Sequence, residues 1–314
     1  MKNMGNEEQQ SEQENLNTEE MKENRKWMKR GRRNQLIASI FVLGFVLCIV
    51  WLIKNLYQTY KAEEDMEALK ATYEQAMPIS TTEETQESVT TPSVEQPATE
   101  EAAERVYPGL DGYDVPEKII DFEALQQEEN EHNYAWITVP GTVIDYPIVQ
   151  HPEDPDYYLN YNLDGTKGYP GGIYTQFYNS KDWEDANTVI YGHNMKNGTM
   201  FAGLHRYEDS EFFEENPYVY IYSEDKVRVY QIFAAYEYAD INLVTYFSLR
   251  GVMTYEEYLA GIYDIDGMNN NFNTDIQVTT EDKIVTLATC ISSKPNMRYL
   301  VQAVLVAEGE LSAN

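Results

Sequence analysis

The sequence predicts an all-β domain, a closed antiparallel barrel or a sandwich, set behind a single hydrophobic segment. Three observations predict it. Short strand-like runs follow one another from residue 135 to residue 307, with few helical patterns between them. Tyrosine is abundant at 26 residues against 2 cysteines, the balance of an aromatic-rich β domain rather than a disulfide scaffold. One run, Leu36 to Ile53, is apolar-dominated and uncharged, and it stands ahead of all the strands.

The elements follow in chain order. Residues 1–24 are polar and charged, which predicts a disordered tail. Arg25, Lys26, Lys29, Arg30, Arg32 and Arg33 form a basic cluster closing a cytoplasmic segment, 1–35. The run 36–53 is just long enough to cross a bilayer as a helix. The basic flank places its N-terminal end in the cytoplasm and everything after Lys54 outside. No small-x-small site follows, so an uncleaved anchor is expected rather than a signal peptide. Residues 57–76 carry Tyr60, Met66, Leu69 and Tyr73 at helical spacing, a short stalk. From Pro78 to Glu104 the composition turns to Thr, Glu, Ser, Pro and Gln, an extended linker. Stalk and linker together span 54–106, and the folded domain is expected over 107–314.

Within the domain, Glu117–Glu131 reads as a helix with Ile120, Phe122 and Leu125 on its apolar side. Strands are expected over Ala135–Val139, Val143–Val149, Gly172–Thr175, Thr188–Tyr191, Tyr218–Tyr222, Lys226–Tyr238, Lys283–Cys290 and Arg298–Ala307. Ser223-Glu224-Asp225 reads as a hairpin turn, and Thr254–Tyr263 as a helix capped by Thr254. Asn197-Gly198-Thr199 reads as a turn followed by a Thr199 helix cap.

Composition excludes several functions. A net charge of −30 argues against nucleic-acid binding, which needs a basic footprint. No zinc pattern, phosphate loop or dinucleotide loop is present, and Glu153-Asp154-Pro155-Asp156 lacks the spacing and glycine of a calcium loop. No metal or cofactor is expected.

Cys48 lies inside the apolar run, so Cys290 is the one thiol downstream of it. An unpaired cysteine in an exported domain needs a reason other than crosslinking. A nucleophilic thiolate needs a nearby cation and a donor for the oxyanion. Arg298 opens the next strand-like run, beyond Ile291 to Met297, a loop by composition. If the two strands pair as a hairpin, thiol and guanidinium sit together at its mouth. The acid–base partner should be a histidine: His132, His151, His193 or His205. Spacing alone does not choose among them, although His193 follows a strand ending in Gly192.

These residues also resemble a known family. Thr286-Leu287-Ala288-Thr289-Cys290, followed by Arg298, is similar to the cysteine and arginine pattern of sortases. Asn187 to Phe201, with Gly192-His193-Asn194-Met195, resembles the histidine region of class B sortases. Trp136 to Gln150 and Tyr157-Tyr158-Leu159 match that class too. The resemblance implies a β-barrel with N-terminal helices and a helix in the loop before the cysteine strand. It implies Cys290 as nucleophile, His193 as acid and base, Arg298 as clamp, and Leu159 and Thr289 lining the substrate groove. The reaction implied is cleavage after threonine in a C-terminal sorting motif of an exported protein. Transfer to a cell-wall peptide amine follows. A pilin-polymerising enzyme with a lysine acceptor, a plain cysteine hydrolase and a catalytically silent tethered binding module are the alternatives. Two features depart from the class. The Cys290–Arg298 loop is short, and Pro155 stands where many members carry asparagine, which bears on an Asn-Pro-x-Thr type of motif.

Overall fold

The computed structural model describes Met21, residues 41–54, 56, 57, 60, 61 and 107, and residues 109–245 and 253–310. The chain divides into two units, Met1–Tyr60 and Lys61–Asn314. In the first, residues 41–54 are helical and exposed. Among the described residues no helix is long and apolar enough to cross a membrane. Residues 36–40 of the apolar run lie outside the described residues, as do the basic tail, most of the stalk and the linker 78–104.

The second unit holds nine strands among its described residues: β1 Asn133–Thr138, β2 Asp145–Val149, β3 Ile173–Thr175, β4 Asn187–Tyr191, β5 Tyr218–Tyr222, β6 Lys226–Ala239, β7 Asn271–Phe272, β8 Ile284–Ile291 and β9 Lys294–Glu310. They pair in the order β5-β1-β2-β3-β4-β8-β9-β6-β7, and β5 also pairs with β6. That last pairing closes eight strands into a barrel, with β7 as an added edge. The barrel is therefore the correct choice over the sandwich. It is mixed rather than antiparallel, because β2–β3 and β4–β8 run parallel. Parallel neighbours need crossover connections, and the 92 residues between Tyr191 and Ile284 supply one of them.

The first helix is shorter than its sequence pattern. It covers Phe122–Ala124 and continues as a wider turn over Leu125–Glu129. Upstream, backbone groups are committed to tertiary bonds: Tyr222 Oη donates to the Pro116 carbonyl and Lys118 N donates to Tyr107 Oη. The helix starts only where Asp121 accepts from Ala124 N at 2.9 Å. The Thr254 cap is as expected, in a full capping box with Glu257 ahead of Tyr255–Gly261. The Asn197–Thr199 turn forms, but the following 3₁₀ helix, Phe201–Glu208, begins after Met200 and Thr199 does not cap it.

Two apolar clusters fill the domain. The larger gathers Trp136, Ile137, Tyr146, Ile148, Phe201, Tyr220 and Val229, all essentially buried. The smaller lies where Tyr258, Leu259 and Ile262 meet Phe233, Tyr236, Ile284 and Leu300. Through it runs a buried polar chain: Tyr236 Oη meets Tyr258 Oη at 2.8 Å, and Gln302 Nε2 donates to Tyr258 Oη and to Thr286 Oγ1. Such a network holds strand register because each buried group left unpaired would cost free energy.

Candidate active site

Parallel pairing of β4 with β8, from Asn187↔Ile284 to Tyr191↔Ala288, makes both strands leave the barrel at one rim. His193 follows β4 by two residues, and Cys290 is the penultimate residue of β8. Three further bonds extend this pairing past the strand end. Gly192 N donates to the Ala288 carbonyl at 3.2 Å, and Thr289 Oγ1 to the Gly192 carbonyl at 2.8 Å. Asn194 Nδ2 donates to the Cys290 carbonyl at 2.9 Å.

β9 returns antiparallel and sets Arg298 opposite Cys290, as the hairpin argument requires. The loop expected over Ile291–Met297 is mostly strand. β8 runs to Ile291 and β9 begins at Lys294, leaving Ser292-Ser293 as the turn. Ile291 pairs with Lys294 while Cys290 pairs with Arg298, so Pro295, Asn296 and Met297 form a bulge. The end of β6 closes it: Met297 pairs with Ala239, and Asp240 N donates to the Asn296 carbonyl at 3.0 Å.

A groove of ≈ 250 Å³ opens at this rim, and all five residues picked from the sequence line it: Leu159, His193, Thr289, Cys290 and Arg298. Cys290 is half-buried, so it is not the inert core thiol that an average cysteine would be. His193 Nε2 donates to the Leu159 carbonyl at 2.8 Å, and Tyr169 meets the ring edge-on at 4.8 Å. Burial holds the His193 pKa below its ordinary value; the Leu159 bond opposes this, and the Arg298 charge adds to it. Arg298 Nη2 pairs with Asp240 Oδ2 at 2.7 Å, and its Nη1 donates to the Met297 carbonyl at 3.1 Å. Leu159 is 38% exposed at the groove lip. Thr289 is 1% exposed, so its hydroxyl is spent on Gly192 while the residue edges the groove.

The other histidines lie elsewhere. His132 Nδ1 meets Tyr158 Oη at 2.6 Å, and His151 stacks on Tyr157 at 4.4 Å. His205 lies beneath the rim rather than in the groove, with Nε2 3.1 Å from the Cys290 carbonyl oxygen. Sequence reasoning missed Asp240, the residue that orients Arg298, because only the β6–β9 register brings them together. It also missed Asp156, Gln176 and Asn242, a hydrogen-bonded wall of the groove. Nothing in their local sequence marks them.

The described residues contain no group of three or more His, Cys, Asp or Glu able to hold a metal ion. What the groove offers instead is a thiol, an imidazole and a guanidinium on three neighbouring strand ends, the parts of acyl-transfer chemistry.

Comparison with known proteins places the chain beside one family. A family model described as "Sortase domain" matches residues 137–306. Sortase B of Listeria monocytogenes is 33% identical over 184 residues, covering 58% of this chain and 73% of its own length. Sortase B of Staphylococcus aureus is 28% identical over 187 residues, 59% of this chain and 74% of its own. The crystal structure of Clostridium perfringens sortase B superposes with a TM-score of 0.51 at 32% identity, covering 59% of this chain and 99% of that one.

Proposed function

This chain belongs to the sortase family as a class B member, and from that premise we propose that it is an anchored extracellular transpeptidase. On this reading it cleaves a C-terminal sorting motif and joins the exported protein to a cell-wall peptide amine. The observation that carries the proposal is the convergence of His193, Cys290 and Arg298, from three separate strand ends, on one groove.

The chemistry follows from the groups. The Cys290 thiolate attacks the carbonyl carbon of the motif's threonine, forming a C–S bond and a tetrahedral oxyanion. Arg298, held in place by Asp240, stabilises that oxyanion or grips the substrate backbone. His193 as imidazolium gives its proton to the departing amine when the C–N bond breaks, leaving a thioacyl enzyme. The incoming amine then attacks the thioester and His193 takes up its proton while the Cys290 thiolate leaves. Burial disfavours the charged imidazole, so the protonated form is a minority near neutrality and releases its proton readily. Leu159 lines the groove for the motif's side chains and holds His193 through its carbonyl.

Residues 36–53 serve as the membrane anchor with the N-terminus in the cytoplasm. The basic cluster ahead of that run and its uncharged composition support this. The stalk and linker, 54–106, then hold the catalytic domain away from the bilayer.

Trapping tests the reading. The chain is incubated with peptides bearing Asn-Pro-x-Thr and related motifs, with and without an amine acceptor, and adducts at Cys290 are read by mass spectrometry. A thioacyl adduct on Cys290, discharged to amide by added amine, is expected. Free acid alone would make it a hydrolase, and a strong preference for protein lysine would make it a pilin polymerase. Cys290→Ala abolishes the adduct; His193→Ala and Arg298→Ala each cost orders of magnitude in kcat/KM with the domain folded.

A further inference from the structure

His205 touches the main chain of the nucleophile without lining the groove. Its Nε2 lies 3.1 Å from the Cys290 carbonyl oxygen and 2.9 Å from Asn194 Nδ2, which itself donates to that oxygen at 2.9 Å. Its Nδ1 donates to Glu208 Oε1 at 2.6 Å. Its ring stacks on Tyr299, 5.2 Å between centroids and 27° between planes. Asn194 is the next residue after His193, and Tyr299 is the next after Arg298. One imidazole thus contacts the three chain segments that supply His193, Cys290 and Arg298, in each case at the nucleophile or one residue from the other two.

We propose that His205, steadied by Glu208, is a positioning residue for catalysis: with Asn194 it fixes the Cys290 carbonyl and so the direction of the thiol. The proposal rests on the reading of Cys290 as nucleophile. The β8–β9 ladder breaks its register between Cys290 and Ile291, so regular strand pairing does not continue past the nucleophile. Side chains take over there. With the Nδ1 proton aimed at a carboxylate, Nε2 accepts one Asn194 N–H while the other goes to the Cys290 oxygen. Glu208 is itself held, accepting from Asn269 Nδ2 at 3.0 Å, while Tyr299 Oη donates to the Asn269 carbonyl at 3.2 Å. The contacts close a ring, His205–Glu208–Asn269–Tyr299, behind the nucleophile. A His–Glu pair three apart on a short helix is common surface dressing. A pair of that kind would not reach a nucleophile's carbonyl, and this one does.

The experiment uses the full-length chain with its two cysteines labelled at the carbonyl carbon with ¹³C. The Cys290 signal is assigned by its loss in Cys290→Ala. His205→Ala and Asn194→Ala are each expected to move that signal in the direction of a lost hydrogen bond. Both are expected to lower kcat for the sorting peptide captured by the wild type by about tenfold or more, with KM within about twofold. The rate of Cys290 alkylation by iodoacetamide should change far less, because the thiol remains and only its aim is altered. His205→Gln, which keeps an amide at that distance, restores most of kcat. If His205→Ala does not fold, Glu208→Gln decides, with a smaller change in the same direction. An unmoved Cys290 signal with wild-type kcat overturns the proposal. So does a loss of kcat that follows melting temperature and is not rescued by glutamine. A wild type that neither captures nor transfers any sorting peptide is a different failure, that of the transpeptidase reading. The carbonyl signal still reports on His205 in that case.

Discussion

Replacing Thr289 with valine separates a tether from a substrate contact. The hydroxyl donates to the Gly192 carbonyl at 2.8 Å from a residue 1% exposed, and it is the middle of three bonds joining 192–194 to 288–290. Valine matches threonine in shape, so no cavity opens, but the Gly192 carbonyl loses its donor. Orphaning a buried acceptor costs about 1–3 kcal/mol. Gly192 is only half-buried, so the lower part of that range applies. A domain of this size loses about 2–4 °C of melting temperature per kcal/mol, and a fall of about 2–8 °C is expected. His193 directly follows the freed carbonyl, and a displacement of its ring should lower kcat by about tenfold or more. The assays are thermal unfolding and transfer kinetics for Thr289→Val beside Thr289→Ser, with serine close to wild type in both. If Thr289→Val melts like the wild type and raises only KM, the hydroxyl serves the substrate and the tether argument is refuted.

Gly192→Ala would bring a methyl group within 2.5 Å of Ile173 Cδ1 and 2.6 Å of the Phe201 ring, both buried. Overpacking of this kind costs about 1–3 kcal/mol, measurable by urea denaturation, and Phe201→Leu in the same chain should recover part of it. Asp240→Asn removes the anion that orients Arg298 at 2.7 Å; kcat should fall severalfold while iodoacetamide alkylation of Cys290 continues. The pH dependence of stability has a defined sign. The folded His193 pKa lies below 6.5, so between the two values the unfolded chain binds more protons and stability falls as pH falls. His193→Gln should flatten that slope in unfolding curves taken from neutral to acid pH, while stability well above pH 6.5 changes little.

Much of the barrel was legible because strands alternate apolar and polar residues with period two. β5 falls on its expected residues, and β1, β2, β3, β4, β6 and β8 fall within two residues at each end. β7, two residues on the outer edge, has no room for a pattern. β9 begins four residues before its expected start, because Lys294 and Pro295 read as loop by composition while β6 and β8 supply partners for a bulged strand. Parallel pairing left no local mark either, since it depends on where a long crossover returns. The same division applies to the site. Cys290 and Arg298 were found together because they share a hairpin. His193 lies 97 residues before Cys290, and spacing left it one of four histidines until the family resemblance selected it. His205 had no signal at all, because its role depends on what lies beneath a strand end.

The place of β8 between β4 and β9 has a consequence for the order in which the chain matures. Synthesis from the N-terminus delivers β1 to β7 before the strand bearing the thiol. Until β8 and β9 arrive, β4 and β6 lack these neighbours and the barrel is unclosed. The nucleophile and Arg298 therefore enter with the two strands that fill that gap, β8 and β9. A chain truncated before β8 holds His193 but neither the thiol nor the guanidinium of the groove. Assembly of the groove and closure of the barrel are thus one event.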